Sequence, residues 1–229
     1  MARHMTTVPL ILIPGLAADE SIFAPQKSVF PNLTVPRWPA PAAGDTLSSY
    51  AERFARAIRS DEPCVLGGAS FGGMVALEMA RYVHPLAVLL IGSVREPAEL
   101  PRRVRLFRPL RAGIGLFPFR LLQWSSMPAA TASARRLMPH LGGLARQFGD
   151  AETPLLRWSI RQILSWDERP RVECPVFHIH GDRDHVVPIG RTRPDTIVGG
   201  GGHVLSLTHP EQVNAFIRSC LERIEVDRG

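Results

Sequence analysis

Gly68-Ala69-Ser70-Phe71-Gly72 places a serine between two glycines in the pattern G-x-S-x-G. A serine hydroxyl is a poor nucleophile until a base takes its proton and a third group orients that base. A chain of this composition should contain the pattern by chance only about 0.1 times. Its setting adds weight. Cys64–Ala69 reads as an apolar strand and Phe71–Tyr82 as a helix, so Ser70 falls on a strand-to-helix turn. Such a turn strains the serine backbone and exposes its hydroxyl, and small residues at 68 and 72 let neighbouring backbones pass close by. A phosphate site at a glycine-rich helix start is the competing reading, and no P-loop lysine follows to support it.

An acid and a base are available in the C-terminal third. His178-Ile179-His180-Gly181-Asp182-Arg183-Asp184 carries an apolar strand into a loop, and Gly199–Gly202 leads into His203. The chain order serine, acid, histidine suits a strand–turn–helix nucleophile. Asp182 and Asp184 are both candidates for the acid. His180, at a strand end, reads as core packing, and His185 as solvated. His209 reads as a helix-start residue before Pro210. His84, His140 and His178 have no nameable partner. Alternation puts His178 and His180 on one strand face, but no third ligand is specified, so a metal site with Asp182 and Asp184 is disfavoured.

These stretches resemble the α/β-hydrolase fold in its capped esterase, lipase and perhydrolase-like branches. The resemblance rests on Leu10–Asp19, Gly67–Gly73, His180–Pro188 and Gly202–Asn214. It implies Ser70 as nucleophile. The family's acid lies three residues after a glycine, ahead of apolar residues and a proline, which here is Asp184 before Val186-Val187-Pro188. The family's base is the histidine of a Gly-His step, here His203. Asp182 is then left to bond loop backbone. The oxyanion of a tetrahedral intermediate needs donors. One is the N–H of Phe71, the residue after the nucleophile. By resemblance the other is the N–H of Leu16 in Pro14-Gly15-Leu16-Ala17, where Pro14 replaces the histidine common in the family.

The elements that must position these groups alternate. Val8–Pro14, Leu33–Trp38, Cys64–Ala69, Ala87–Val94, Val176–His180 and Thr196–Val198 read as strands. Helices are expected over Glu20–Phe30 (interrupted by Pro25), Leu47–Arg59 after a Thr46 N-cap, Phe71–Tyr82 and Pro210–Ile224. This is an α/β chain with a mostly parallel central sheet of about six strands, helices on both faces and a helical cap insertion. The expected organisation is a core of 7–94 and 171–226, a cap or lid at 95–170, and a disordered N-terminus at 1–6. Arg3 and His4 before an apolar run resemble a weak secretion signal. Pro9, Pro14 and the Asp19-Glu20 that follows favour a buried strand instead.

Composition narrows the class. The chain has 229 residues, 45% hydrophobic, which suits one domain with a real core. The apolar run Pro85–Val94 is about half of what a membrane-spanning helix needs. Three cysteines, with no CxxC pair, favour a reducing compartment, so a cytoplasmic location is expected. Of the 27 basic residues only Lys27 is a lysine, and no nucleic-acid motif accompanies the arginines. Residues 95–171 hold 14 arginines against 6 acids, net +8, while the remainder is net −2. Most of these arginines are expected to be solvated. Phe107, Phe117, Phe119 and Trp124 supply large apolar groups there and are expected to line part of the substrate pocket. The expectation is therefore a cofactor-free, metal-free serine hydrolase acting on small carboxylic esters of short to medium acyl chains, with no nucleic-acid partner and no integral membrane segment. Thioesterase, lactonase, acyl transferase, C–C hydrolase and perhydrolase chemistry could use the same residues, and a slow ligand sensor is the reading from another class.

Overall fold

A computed structural model describes residues 8–58, 62–116 and 153–226. Six strands form one sheet in the order β2-β1-β3-β4-β5-β6. They are β1 (Leu10–Ile13), β2 (Leu33–Thr34), β3 (Val65–Ala69), β4 (Ala87–Ile91), β5 (Val176–Gly181) and β6 (Thr196–Val198). Every neighbouring pair is parallel. All the strands therefore deliver their C-terminal ends to the same edge of the sheet, where an open α/β sheet presents its crevice.

Period-two alternation divides the core. Leu10, Leu12, Val65, Leu89, Ile91, Phe177 and Ile179 pack on one face, with Val213, Phe216, Ile217, Cys220 and Leu221 of the last helix. Ile11, Ile13, Leu66, Val88 and Leu90 pack on the other, against the helices Leu47–Ala57 (α2), Phe71–Val83 (α3) and Thr153–Ser165. Because both faces are covered, the strands read as continuous apolar runs. The helix α2 starts where Thr46 and Ser49 cap it reciprocally, which satisfies two of its otherwise orphaned amides. Ala24–Lys27 (α1) is only one turn, with Pro25 inside its first turn rather than breaking a longer helix; a 3₁₀ turn over Glu20–Phe23 precedes it. The expected helix over Glu20–Phe30 is thus two short pieces.

The expected strand Leu33–Trp38 shrinks to the two residues of β2. Pro36 has no amide to donate, and the residue before a proline is itself restricted, so pairing stops at the sheet edge. Trp38 instead folds over the sheet, stacking on Phe71 with ring centroids 5.7 Å apart.

Between β4 and β5 the described elements are all helical: a 3₁₀ turn at Pro97–Glu99, Arg102–Phe107 (α4), a 3₁₀ stretch at Arg108–Leu116, and α5 (Thr153–Ser165). Trp158 and Gln162 of α5 both donate to the Asp45 carbonyl, at 2.9 and 3.2 Å. Trp158 also lies against Tyr50, 4.1 Å between centroids. Several arginines of this segment are tethers rather than free surface charge. Arg103 donates to the His185 and Val186 carbonyls, Arg108 to Trp166, and Arg95 pairs with Asp195. After β6 come a single turn, Leu205–Thr208 (α6), which the sequence pattern did not announce, and Pro210–Val226 (α7). No helix among the described residues is long and apolar enough to cross a membrane.

Candidate active site

Ser70 joins β3 to α3 with φ 51° and ψ −121°. A non-glycine residue held there costs about 1–3 kcal/mol and persists only if its surroundings over-determine it. Three contacts do so. The Ser70 amide donates to the Ile91 carbonyl at 3.0 Å, and its carbonyl accepts from the Gly73 amide at 3.0 Å and the Ser93 hydroxyl at 2.6 Å. Glycine is required beside it. A Cβ on Gly68 would stand 2.5 Å from the Gly72 carbonyl carbon, and one on Gly72 would stand 2.2 Å from the Pro14 carbonyl oxygen. The first turn of α3 therefore packs backbone to backbone on the end of β1.

His203 comes from the glycine-rich loop after β6. Its Nε2 lies 2.8 Å from Ser70 Oγ, and its Nδ1 lies 2.7 Å from Asp184 Oδ2. Nδ1 donates to the carboxylate, which leaves the Nε2 lone pair facing the serine hydroxyl. Asp184 sits on the loop after β5, its carboxylate buried, and its Oδ1 accepts the Val186 and Val187 amides at 2.8 and 2.9 Å. Burial alone would raise this carboxyl. Hydrogen bonds from His180 and His203, the charge of His203 and the Val187 amide outweigh burial and hold it well below the usual carboxylate range. It stays an acceptor across the working pH range.

Asp182 turns away: its Oδ1 accepts the Gly200 amide at 2.7 Å, tying the β5 loop to the β6 loop. The Arg183 amide donates to Gly201 across the same seam, at 2.9 Å. Of the four residues weighed as a metal site, Asp182 bonds backbone, Asp184 meets His203, and His178 and His180 bond one another; no cluster among the described residues could hold a metal. His185 is exposed; His209 stands between α6 and α7 with its carbonyl accepting the Val213 amide. His84 ends α3 in the left-handed conformation.

Phe71 opens α3, so its amide belongs to the first turn, whose N–H groups have no acceptor inside the helix. The β1 loop lies against Ser70: a Cβ on Gly15 would be 3.5 Å from Ser70 Cβ, and Leu16 packs against the core beside it. Trp38 and Trp158 flank the Phe71 ring, the latter edge-on at 6.0 Å. Sequence reasoning gave neither tryptophan a place at the site; their only signal was aromatic character in a proline-rich loop and in a helix. Phe107 is half-exposed on α4. Phe117, Phe119 and Trp124 lie outside the described residues, as does His140.

The sequence pattern of the Alpha/beta hydrolase family matches residues 10–216. The chain belongs to that family. Solved structures similar to this hydrolase-family chain include a thermophilic esterase from Thermogutta terrifontis, at TM-score 0.71 and 19% identity, covering 96% of this chain and 91% of that one. An enzyme described as degrading N-acyl homoserine lactones gives TM-score 0.66 at 18% identity, covering 93% of each chain. The type II thioesterase YbtT of the yersiniabactin pathway gives 0.63 at 18%, covering 98% and 96%. At such identity the likeness is one of fold. A Synechocystis sp. protein named a non-heme chloroperoxidase is 32% identical over 66 residues, which span 24% of each chain. The match thus spans about a quarter of that relative's length.

Proposed function

We propose that this family member hydrolyses carboxylic esters of short to medium acyl chains through a covalent acyl-enzyme. The observation that carries the reading is the unbroken hydrogen-bonded chain from Ser70 Oγ through His203 to buried Asp184, with Ser70 held on a strained turn. In the proposed reaction Ser70 attacks the carbonyl while His203 Nε2 takes its proton, and Asp184 fixes the His203 tautomer and stabilises the imidazolium. The Phe71 and Leu16 amides receive the oxyanion. His203 then protonates the leaving alcohol, and the same ring activates the water that releases the acid.

In the proposed enzyme residues 95–170 serve as a cap, with Phe107, Phe117, Phe119 and Trp124 as acyl-wall residues on the strength of their apolar character in the sequence. Leu16, Trp38 and Trp158 close the core side. An apolar wall discriminates by about 1–3 kcal/mol per methylene, so the chain-length preference is graded. The reaction draws on no cofactor.

A fluorophosphonate tests the nucleophile. Labelling should fall on the peptide holding Gly68–Gly73, and Ser70→Ala should lose label and about 10⁴-fold or more of kcat on a chromogenic ester. Labelling at another serine, or turnover unchanged in Ser70→Ala, sinks the reading. A panel of acyl esters, thioesters and lactones on the same protein then ranks the leaving groups, since all three present the same carbonyl to Ser70.

A further inference from the structure

Asp184 is gripped from two sides, and orienting His203 accounts for only one of them. Strand alternation puts His178 and His180 on the α3 face of β5, while Phe177 and Ile179 enter the opposite core. Both imidazoles have no exposed surface. If these positions only filled space, leucine or valine would do so without burying polar nitrogens. Three of the four ring nitrogens are instead spent in series, while His178 Nδ1 has no hydrogen-bond partner. His180 Nε2 lies 2.8 Å from the Val187 carbonyl and 3.3 Å from Asp184 Oδ2. Both of those oxygens only accept, so Nε2 carries a proton. On the other side of the ring, His180 Nδ1 lies 3.1 Å from His178 Nε2. With a lone pair on His180 Nδ1, His178 is the donor in that bond, and it locks the His180 tautomer. His178 can serve only as the neutral ring. Burial first, then the electrostatic influence of the adjoining His180 ring and the charge of Arg95, push it down to about 3 against an opposing Ser93 backbone contact.

We propose that His180 is a positioning residue for the reaction: its Nε2–H, fixed by His178, donates to the carbonyl of Val187, the residue whose amide holds Asp184 Oδ1, and stands 3.3 Å from Oδ2, so the carboxylate keeps the orientation that meets His203. This rests on the function proposed above. The charged and titratable groups around the chain are Asp184 and His203 on one side and Arg95 and Asp195 on the other. Asp195 accepts both the His178 amide and the Arg95 guanidinium, and Glu99 accepts the Arg95 amide. The His180 N–H spreads part of the Asp184 charge away from His203. Removing it both loosens the carboxylate and leaves more negative charge to favour protonated His203.

The test uses the full chain and the best chromogenic ester of the panel. His180→Leu should lower kcat about 10- to 100-fold, the range expected for losing a hydrogen bond to a charged group, with KM unchanged. The acidic limb of kcat/KM should move to higher pH. His180→Gln, which returns an N–H near the Nε2 position, should recover most of both. Wild-type kcat and an unmoved limb in His180→Leu overturn the proposal. So do equal losses in both variants with an unmoved limb, which is the signature of core packing alone. If the leucine variant does not fold, nitrogen-15 NMR of the wild-type imidazoles decides: the proton of His180 belongs on Nε2, and finding it only on Nδ1 overturns the assignment. Absence of fluorophosphonate label on Ser70 breaks the underlying function instead, and leaves the NMR outcome to stand by itself.

Discussion

Ser70 reaches its place through the backbone, whereas Asp184 and His203 reach theirs through side-chain hydrogen bonds crossing the loops after β5 and β6. On the serine side the fixing elements are a positive φ, two glycines with no room for a Cβ, and main-chain bonds to Ile91 and Gly73. On the acid–base side they are a carboxylate with four surrounding donors, a histidine pair, and the Asp182–Gly200 tie. A backbone device tolerates no added volume but is indifferent to pH. A side-chain network tolerates volume better and depends on protonation and on donor count.

The largest expected effect separates the two aspartates within the acid–base half. Asp184→Asn offers His203 an amide where it needs a charge, and the serine-protease precedent puts that loss near 10⁴-fold in kcat. Asp182→Ala breaks only the tie to Gly200, so it should cost about 1 kcal/mol of stability while kcat stays near wild type. Steady-state kinetics and urea melts of both variants check the pair; the reverse ranking would mean that the wrong aspartate has been assigned to the base. Gly72→Ala probes the serine half. Its Cβ would collide with backbone, which cannot swing aside, so a loss of about 3 kcal/mol is expected. Gly190→Ala, where a Cβ meets nothing within 4 Å, is the control. If both alanines melt alike, the elbow is not sterically fixed.

The smallest effect is the sharpest on pH. With the folded pKa of His178 at about 3, the unfolded chain takes up its proton first as pH falls below the ordinary histidine value of 6.5. The stability contributed by the neutral buried ring is complete above that value and lost progressively toward pH 3. Between pH 6 and 4 the wild type should therefore lose about 1.4 kcal/mol per pH unit more than His178→Leu. Parallel pH–stability curves would show that the ring is not held neutral.

What could be read from the residues follows the same division. The serine half was legible because its constraints are local: an apolar strand, G-x-S-x-G and a helix lie within twenty residues. Five of the six strands matched their apolar runs; β2 did not, because Pro36 removes an amide at a sheet edge. The meeting of Asp184 with His203 was legible only as a pattern, since nothing between Gly181 and His203 states which aspartate meets which loop. His180 read as packing. Its partner, the Val187 carbonyl, is brought to it by the turn of a loop rather than by any spacing. Trp38 and Trp158 were hidden for the same reason: their meeting at Phe71 needs the tertiary fold.

The β4–β5 pairing joins strands that end at residue 91 and resume at residue 176. Lengthening such a loop costs little at equilibrium, about 0.6 kcal/mol per doubling, but distant pairing slows the search for the native topology. Everything that fixes the Ser70 backbone is complete by residue 93, and the side chains that the proposed function assigns to activating its hydroxyl, Asp184 and His203, lie beyond 176. A refolding chain can thus own a finished turn at Ser70 while still lacking the proposed base and acid. Returning turnover times the closure of the sheet across that gap, not the collapse that precedes it.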